Sequence, residues 1–293
     1  MTTSDTYGAG PAGRVWFITG ASTGFGREIA QAALRRGEFV VATARRPETL
    51  DDLVASADGR LLALPLDVTD PAQIQAALDA ATARFGRVDV LVNNAGYGSV
   101  GAVEEIDLSD LRTLMETMYF GPVALTQAVL PGMRARGSGA VVQISSMGGQ
   151  VTMPGFGAYC SAKFALAALS ESLAAEVEPL GIRVLIVEPG AFRTAFGGRG
   201  MHRSRRIDAY EPTVGQTRAG VDSMDGSQPG DPRKAADAIV AALDAPAAPA
   251  APLHLALGAD AVEAIRAAQD RRRADLDSWD AVSRSTDVDA APR

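Results

Sequence analysis

A glycine-rich turn set between an apolar run and a helical pattern constrains the fold of this chain more than any other feature. Val15-Trp16-Phe17-Ile18 is the apolar run, and Thr19-Gly20-Ala21-Ser22-Thr23-Gly24-Phe25-Gly26 is the turn. Apolar residues then recur at helical spacing from Ile29 to Leu34, Gly37 stops the helix, and Phe39-Val40-Val41-Ala42 is a second strand. Glycines let backbone approach a pyrophosphate, and the positive end of a helix favours its charge. Gly20, Ser22, Thr23, Gly24, Phe25 and Gly26 are therefore candidate nucleotide-binding residues. The glycine spacing differs from G-x-G-x-x-G, so a dinucleotide reading needs further support.

The strand–helix unit repeats. Leu61 to Leu66, Val88 to Val92, Ala140 to Ile144, Ile182 to Val187 and Leu253 to Leu257 read as strands. Pro71 to Phe85 reads as a helix with Asp70 as its N-cap. Leu108 to Arg136, Tyr159 to Val177, Pro232 to Leu243 and Ala259 to Ser278 also read as helical. Strands apolar on both faces imply a parallel sheet covered on both sides. Right-handed crossovers limit the topology to a doubly wound sheet or a barrel, and the opening glycine turn favours the former.

The expected organisation is a flexible segment over 1–14, one domain over 15–282 and a flexible tail over 283–293. A loop around 194–230, rich in Gly, Arg, Ser and Asp, breaks the rhythm and is expected to cover a substrate. Ala245 to Pro252 reads as a stiff connector. Net charge is -7, against nucleic acid or an anionic membrane as partner. The single cysteine, Cys160, fits a reducing compartment. No apolar stretch of about 18 residues is present, and Met1 to Arg14 has no signal-peptide pattern, so the expected location is cytoplasmic. His202 and His254, the two histidines, give no metal signature.

Tyr159 and Lys163 stand four residues apart and share a helix face. A cation beside a phenol favours the phenolate, so the tyrosine can exchange a proton with an alcohol or ketone. Ser146 lies thirteen residues before Tyr159, in Ile144-Ser145-Ser146. Asn93-Asn94-Ala95-Gly96 follows the fourth strand, where asparagines either fix backbone or line a ligand crevice. Asp67-Val68 follows the third, where Asp67 reads equally as an adenine-edge contact or a helix cap. After the second strand, Ala44 occupies the place where a carboxylate would hold the ribose 2′-hydroxyl of NAD, and Arg45 comes next. A guanidinium matches a 2′-phosphate, so NADP(H) is expected in preference to NAD(H).

In this order and spacing the TGxxxGxG turn, NNAG, the serine, YxxxK and Pro189-Gly190 resemble the short-chain dehydrogenase/reductase family, closely over Val15 to Thr194. The resemblance implies a Rossmann-type sheet of about seven parallel strands, a nicotinamide cofactor, hydride transfer, and a homodimer or homotetramer. It implies that Asn93, Ala95, Gly96, Asp67 and Val68 line the cofactor. It makes Tyr159 the general acid/base, with Lys163 lowering its pKa and holding the nicotinamide ribose. Ser146 would hydrogen-bond the substrate oxygen, and Pro189, Gly190 and Thr194 would contact the nicotinamide amide. Met118 departs from the pattern, standing where relatives carry an asparagine that holds a relay water.

The expected activity is interconversion of an apolar ketone and a secondary alcohol, with Phe192, Phe196, Met201 and Tyr210 as apolar walls and Met118, Met147 and Met153 nearer the nicotinamide. Two alternatives remain open: a nucleotide-binding sensor or scaffold without turnover, motivated by Met118, and a non-redox lyase, dehalogenase or isomerase on the same scaffold.

Overall fold

Residues 12–198, 200–224, 226–245 and 251–288 are described by a computed structural model. The expectations for 1–11, for 246–250 of the connector and for 289–293 of the tail lie outside the described residues. The strands are β1 (Val15–Ile18), β2 (Phe39–Ala44), β3 (Leu61–Pro65), β4 (Val90–Asn93), β5 (Gly98–Val100), β6 (Gly139–Ile144), β7 (Ile182–Pro189), β8 (Met201–Arg203) and β9 (His254–Leu257). The helices are α1 (Gly24–Arg35), α2 (Asp51–Ser56), α3 (Pro71–Phe85), α4 (Leu108–Met115), α5 (Gly121–Arg136), α6 (Gly157–Val177), α7 (Gln216–Met224), α8 (Pro232–Asp244), α9 (Ala259–Ser278) and α10 (Asp280–Arg284). The last of these carries regular structure past the expected domain end at 282.

Seven strands form one parallel sheet in the order β3-β2-β1-β4-β6-β7-β9. The strands read as continuous apolar runs because both faces are covered. Trp16, Ile18, Val40, Ala42, Val92 and Val142 pack with Ile29 and Ala33 of α1 and Ile239 and Val240 of α8. Phe17, Val41, Leu91, Val141 and Ile186 pack on the opposite face with Ile74, Leu125 and Leu173 of α3, α5 and α6. Strand order reverses between β1 and β4, and a ligand crevice opens beyond the carboxyl ends of strands at such a point.

The segment after Thr194 differs from the expected open loop. Strand β8 pairs with β5 in parallel, and α7 follows it. A fully buried carboxylate, Glu105, anchors the segment by accepting from the backbone of Ala102 and Ile207 and from Arg218 at 2.7 Å. Burial alone would raise this carboxyl, but the three donors outweigh it and hold it below the usual carboxylate range.

Candidate functional site

The glycine turn is built against the end of β4. Asn94 donates from its side chain to the carbonyls of Thr19 and Gly20 at 2.8 and 3.0 Å. Thr19 Oγ1 accepts in return from the backbone of Asn94 and Ala95. A Cβ at Gly20 would lie 2.9 Å from Ala95 Cα, and one at Gly26 would lie 2.5 Å from Asn94 Nδ2. Gly20 and Gly24 also hold φ of 63° and 57°, a region that favours glycine. Two strands at the switch point are thus locked together by the side chains of Asn94 and Thr19, and Gly20 and Gly26 leave the room this needs.

The turn delivers the chain to α1 in a form suited to an anion. Helices α3 and α8 close their amino ends with Asp70 and Asp231, each accepting from two backbone N–H groups. Helix α1 begins after Thr23 with no side-chain cap and no acid in its first turn. Its positive end and first backbone donors therefore face outward from Ser22, Thr23, Gly24 and Phe25, and this donor set fits a diphosphate. Arg45 is exposed at the end of β2, close enough for its charge to act on Tyr97. The turn touches the same strand, since Ala21 N donates to Thr43 O at 2.9 Å.

Other expected cofactor residues are engaged differently. The Asn93 side chain is buried and donates to Pro122 O, Thr126 Oγ1 and Gln143 Oε1, so it faces the interior and not the crevice. The reason is that β4 alternates, and Asn94 takes the turn-facing position. Asp67 is not the helix cap, which is Asp70; it is half-buried, and its Oδ1 accepts from Thr69 N and Oγ1. Val68 is buried, with its carbonyl 2.7 Å from where a Cβ on Gly121 would lie. Gly96 is exposed and has the Met118 sulfur 3.1 Å from its would-be Cβ.

Tyr159, Lys163 and Ser146 come together at the ends of β6 and α6. The Ser146 hydroxyl lies within hydrogen-bond reach of the Tyr159 hydroxyl and also accepts from Gly148 N at 3.0 Å. Lys163 Nζ donates to Ile144 O at 2.7 Å and lies 5.8 Å from the centre of the Tyr159 ring. Ser145 Oγ donates to Lys163 O at 3.5 Å. Burial pushes the Tyr159 phenol above its ordinary value, and Ser146 works against that push. Burial lowers the Lys163 ammonium from 10.5 to about 8. Burial sets the direction for both groups, which for the phenol is opposite to the expected depression by the ammonium.

Met118 sits fully buried in a single wide, π-type turn, Glu116–Phe120, between α4 and α5. It packs in an apolar cluster with Leu114, Ala158, Tyr159 and Cys160. Wide turns of this kind concentrate at functional sites. Cys160 donates to Val151 O, and burial raises its thiol to about 11, which keeps it inert.

The segment after β7 joins the two halves of the site. Thr194 Cβ lies 3.4 Å from where a Cβ on Gly24 would be, and the Phe196 ring meets the Tyr159 ring edge-on at 5.5 Å. Of the expected apolar walls, only Phe196 and Met118 pack with Tyr159. Phe192 meets Phe25 in a tilted contact with ring centres 5.1 Å apart, Met201 packs with Val100 and Val221, and Tyr210 is half-buried, its hydroxyl donating to Glu104. Met147 packs with Val151 and Ile265, while Met153 is exposed. Pro189 ends β7, and Gly190 lies against the carboxylate of Asp260, in the first turn of α9. No local pattern marks Asp260: an acid in a first turn reads as a helix-dipole partner. Among the described residues no cluster suited to a metal ion occurs.

A doubly wound sheet with an open helix terminus at its switch point, and a serine–tyrosine–lysine group beside it, defines an oxidoreductase of nucleotide-binding fold. The chain belongs to the short-chain dehydrogenase family, whose model matches residues 14–202. It is 40% identical over 267 residues to "Oxidoreductase BOA17" of Botryotinia fuckeliana, covering 91% of this chain and 96% of the relative. A crystal structure of a short-chain dehydrogenase from Streptomyces avermitilis superposes with a TM-score of 0.88 at 54% identity, covering 94% of this chain and all of that one. An alcohol dehydrogenase from the archaeon Thermococcus sibiricus, complexed with 5-hydroxy-NADP, superposes with a TM-score of 0.68 at 27% identity over 83% of this chain and 95% of its own. Related structures hold NADP in some cases and NADH in others.

Proposed function

We propose that this protein is an NADP(H)-dependent oxidoreductase that interconverts an apolar ketone and a secondary alcohol. The carrying observation is the buried Tyr159 hydroxyl beside Ser146, reached by the same short segment that touches the glycine turn. The nicotinamide supplies the hydride acceptor or donor when bound. Ser22, Thr23, Gly24 and Phe25 would hold its diphosphate, and Arg45 a 2′-phosphate.

The chain's own residues manage the proton. Ser146 and Tyr159 converge on one point and can both hydrogen-bond a carbonyl oxygen placed there. Burial keeps the Tyr159 phenol protonated, so it holds the proton that the oxygen of a ketone needs on reduction; burial also makes it a weaker acid, so the transfer depends on stabilising the phenolate left behind. In the reverse direction Tyr159 must take a proton from the alcohol, and the Lys163 ammonium, charged below about pH 8, stabilises the developing phenolate. Phe196 and Phe156, both edge-on to the Tyr159 ring, line this point with apolar surface and favour an apolar substituent. Met118 adds an apolar wall and offers no strong hydrogen bond, so any relay from Lys163 to solvent uses another route. A cytoplasmic homo-oligomer acting on a small molecule belongs to the same reading.

The test is NADPH oxidation, followed by its near-ultraviolet absorbance, with a panel of apolar ketones. Turnover that depends on the ketone and falls by about 10²- to 10⁴-fold in Tyr159→Phe supports the proposal. Tight NADPH binding without turnover across the panel overturns it in favour of a sensor.

A further inference from the structure

We propose that Asp260, distant in sequence from the nucleotide-binding residues named above, is a positioning residue for the nucleotide site. The inference rests on the cofactor reading just given. Strands β7 and β9 run side by side to their ends, with Pro189 opposite Leu257 and Gly190 N donating to Leu257 O at 2.9 Å. There the chains part: Gly258, at φ 94°, leads into α9, while Gly190 leads toward the glycine turn. The carboxylate of Asp260 occupies the fork. Its Oδ2 accepts from Ala191 N at 2.7 Å. A Cβ on Gly190 would lie 2.3 Å from both carboxylate oxygens, and one on Gly258 would lie 2.5 Å from Oδ1. Both glycines therefore make room for this one side chain.

What Asp260 holds continues directly into the site. Ala191 O accepts from Gly230 N at 3.0 Å, and Arg193 N donates to Gly230 O at 2.9 Å, so the strap is held on its far side too. Phe192 then meets Phe25, in the first turn of α1, in a tilted ring contact, and Thr194 lies over Gly24. The path from Ala191 to Thr194 is short and pinned at both ends. Releasing Ala191 N frees the strap to move off the amino end of α1, where the diphosphate would sit. Gly190 thus has a reason to be glycine that is independent of direct contact with a nicotinamide.

Asp260 also lies where an acid favours the dipole of α9, a purely structural role that alters stability and not nucleotide affinity. The experiment separates the two roles. NADPH affinity is measured by calorimetric titration, and melting temperature in parallel, for the full chain and for Asp260→Asn, Asp260→Ala, Gly190→Ala and the Asp260→Ala/Gly190→Ala pair. Asp260→Ala should weaken NADPH about tenfold or more, as expected on losing a charged acceptor. Asp260→Asn, which keeps an acceptor and the shape, should stay within about threefold. Gly190→Ala should weaken binding strongly alone and add little to Asp260→Ala, because the clash partner is gone. Additive losses, or wild-type affinity in Asp260→Ala with only a lower melting temperature, overturn the inference. Wild-type protein that binds neither NADPH nor NADH overturns the cofactor reading itself, and the inference with it.

Discussion

Replacing Lys163 by methionine should remove a particular pH dependence of folding stability. Lys163 is buried, and its ammonium titrates near 8 in the folded protein against 10.5 when unfolded. Between these values the unfolded chain holds a proton that the folded chain has released. Raising the pH through that window therefore favours the folded state, and the burial penalty is complete below pH 8. With these two values Lys163 lowers stability by about 3 kcal/mol near pH 7 and by about 1 kcal/mol near pH 10. Cys160 works oppositely, because its thiol is raised from 9.0 to about 11 and loses its contribution as pH climbs through that range. Both proteins carry Cys160, so the comparison cancels it. Tyr159, raised above its ordinary 10.0, begins to act near pH 10, and it too is present in both proteins. The assay is denaturant unfolding at a series of pH values, with stability extrapolated to water. Relative to Lys163→Met, the wild type should gain about 2–3 kcal/mol from pH 7 to 10. The carbonyl of Ile144, which loses its donor in the variant, shifts all points equally and leaves the slope intact. Parallel curves for the two proteins would refute the argument that Lys163 is desolvated.

Three further substitutions test the site. Gly20→Ala places a side chain in the left-handed region and 2.9 Å from Ala95 Cα, so it should cost at least about 1–2 kcal/mol in stability; a melting temperature like wild type would contradict the close approach. Arg45→Asp should raise the NADPH KM about tenfold or more while leaving the NADH KM nearly unchanged, since a charge-assisted contact is lost and a repulsion gained; steady-state kinetics with both cofactors decides it. Met118→Asn buries an amide in the apolar cluster around Tyr159 and should lower stability by about 1–3 kcal/mol; an unchanged unfolding midpoint would indicate that water already reaches this position.

Much of this protein follows from local sequence alone. Apolar runs and helical spacing gave the seven strands of the main sheet and α3, α6, α8 and α9 to within about two residues, because burial of a strand on two faces, or a helix on one, leaves its mark on consecutive residues; the short elements β5, β8, α2, α7 and α10 carry too few residues to leave such a mark. Asp70-Pro71 and Gly86 bound α3 as their backbone preferences require. The turn from Thr19 to Gly26 and the spacing of Ser146, Tyr159 and Lys163 are equally local. What the chain does between distant residues was decided only by the fold. Asn93 and Asn94 are adjacent and chemically identical, yet one is buried under α5 and the other braces the glycine turn, because β4 presents them to opposite sides. The titration of Tyr159 and Lys163 follows from how deeply Phe156, Phe196 and Met118 enclose them, which no pairwise spacing encodes. Asp260 meets Ala191, 69 positions earlier in the chain, at the point where two strands diverge. Sequence patterns report the forces between near neighbours; desolvation and the pairing of buried polar groups depend on which elements the packed sheet brings together.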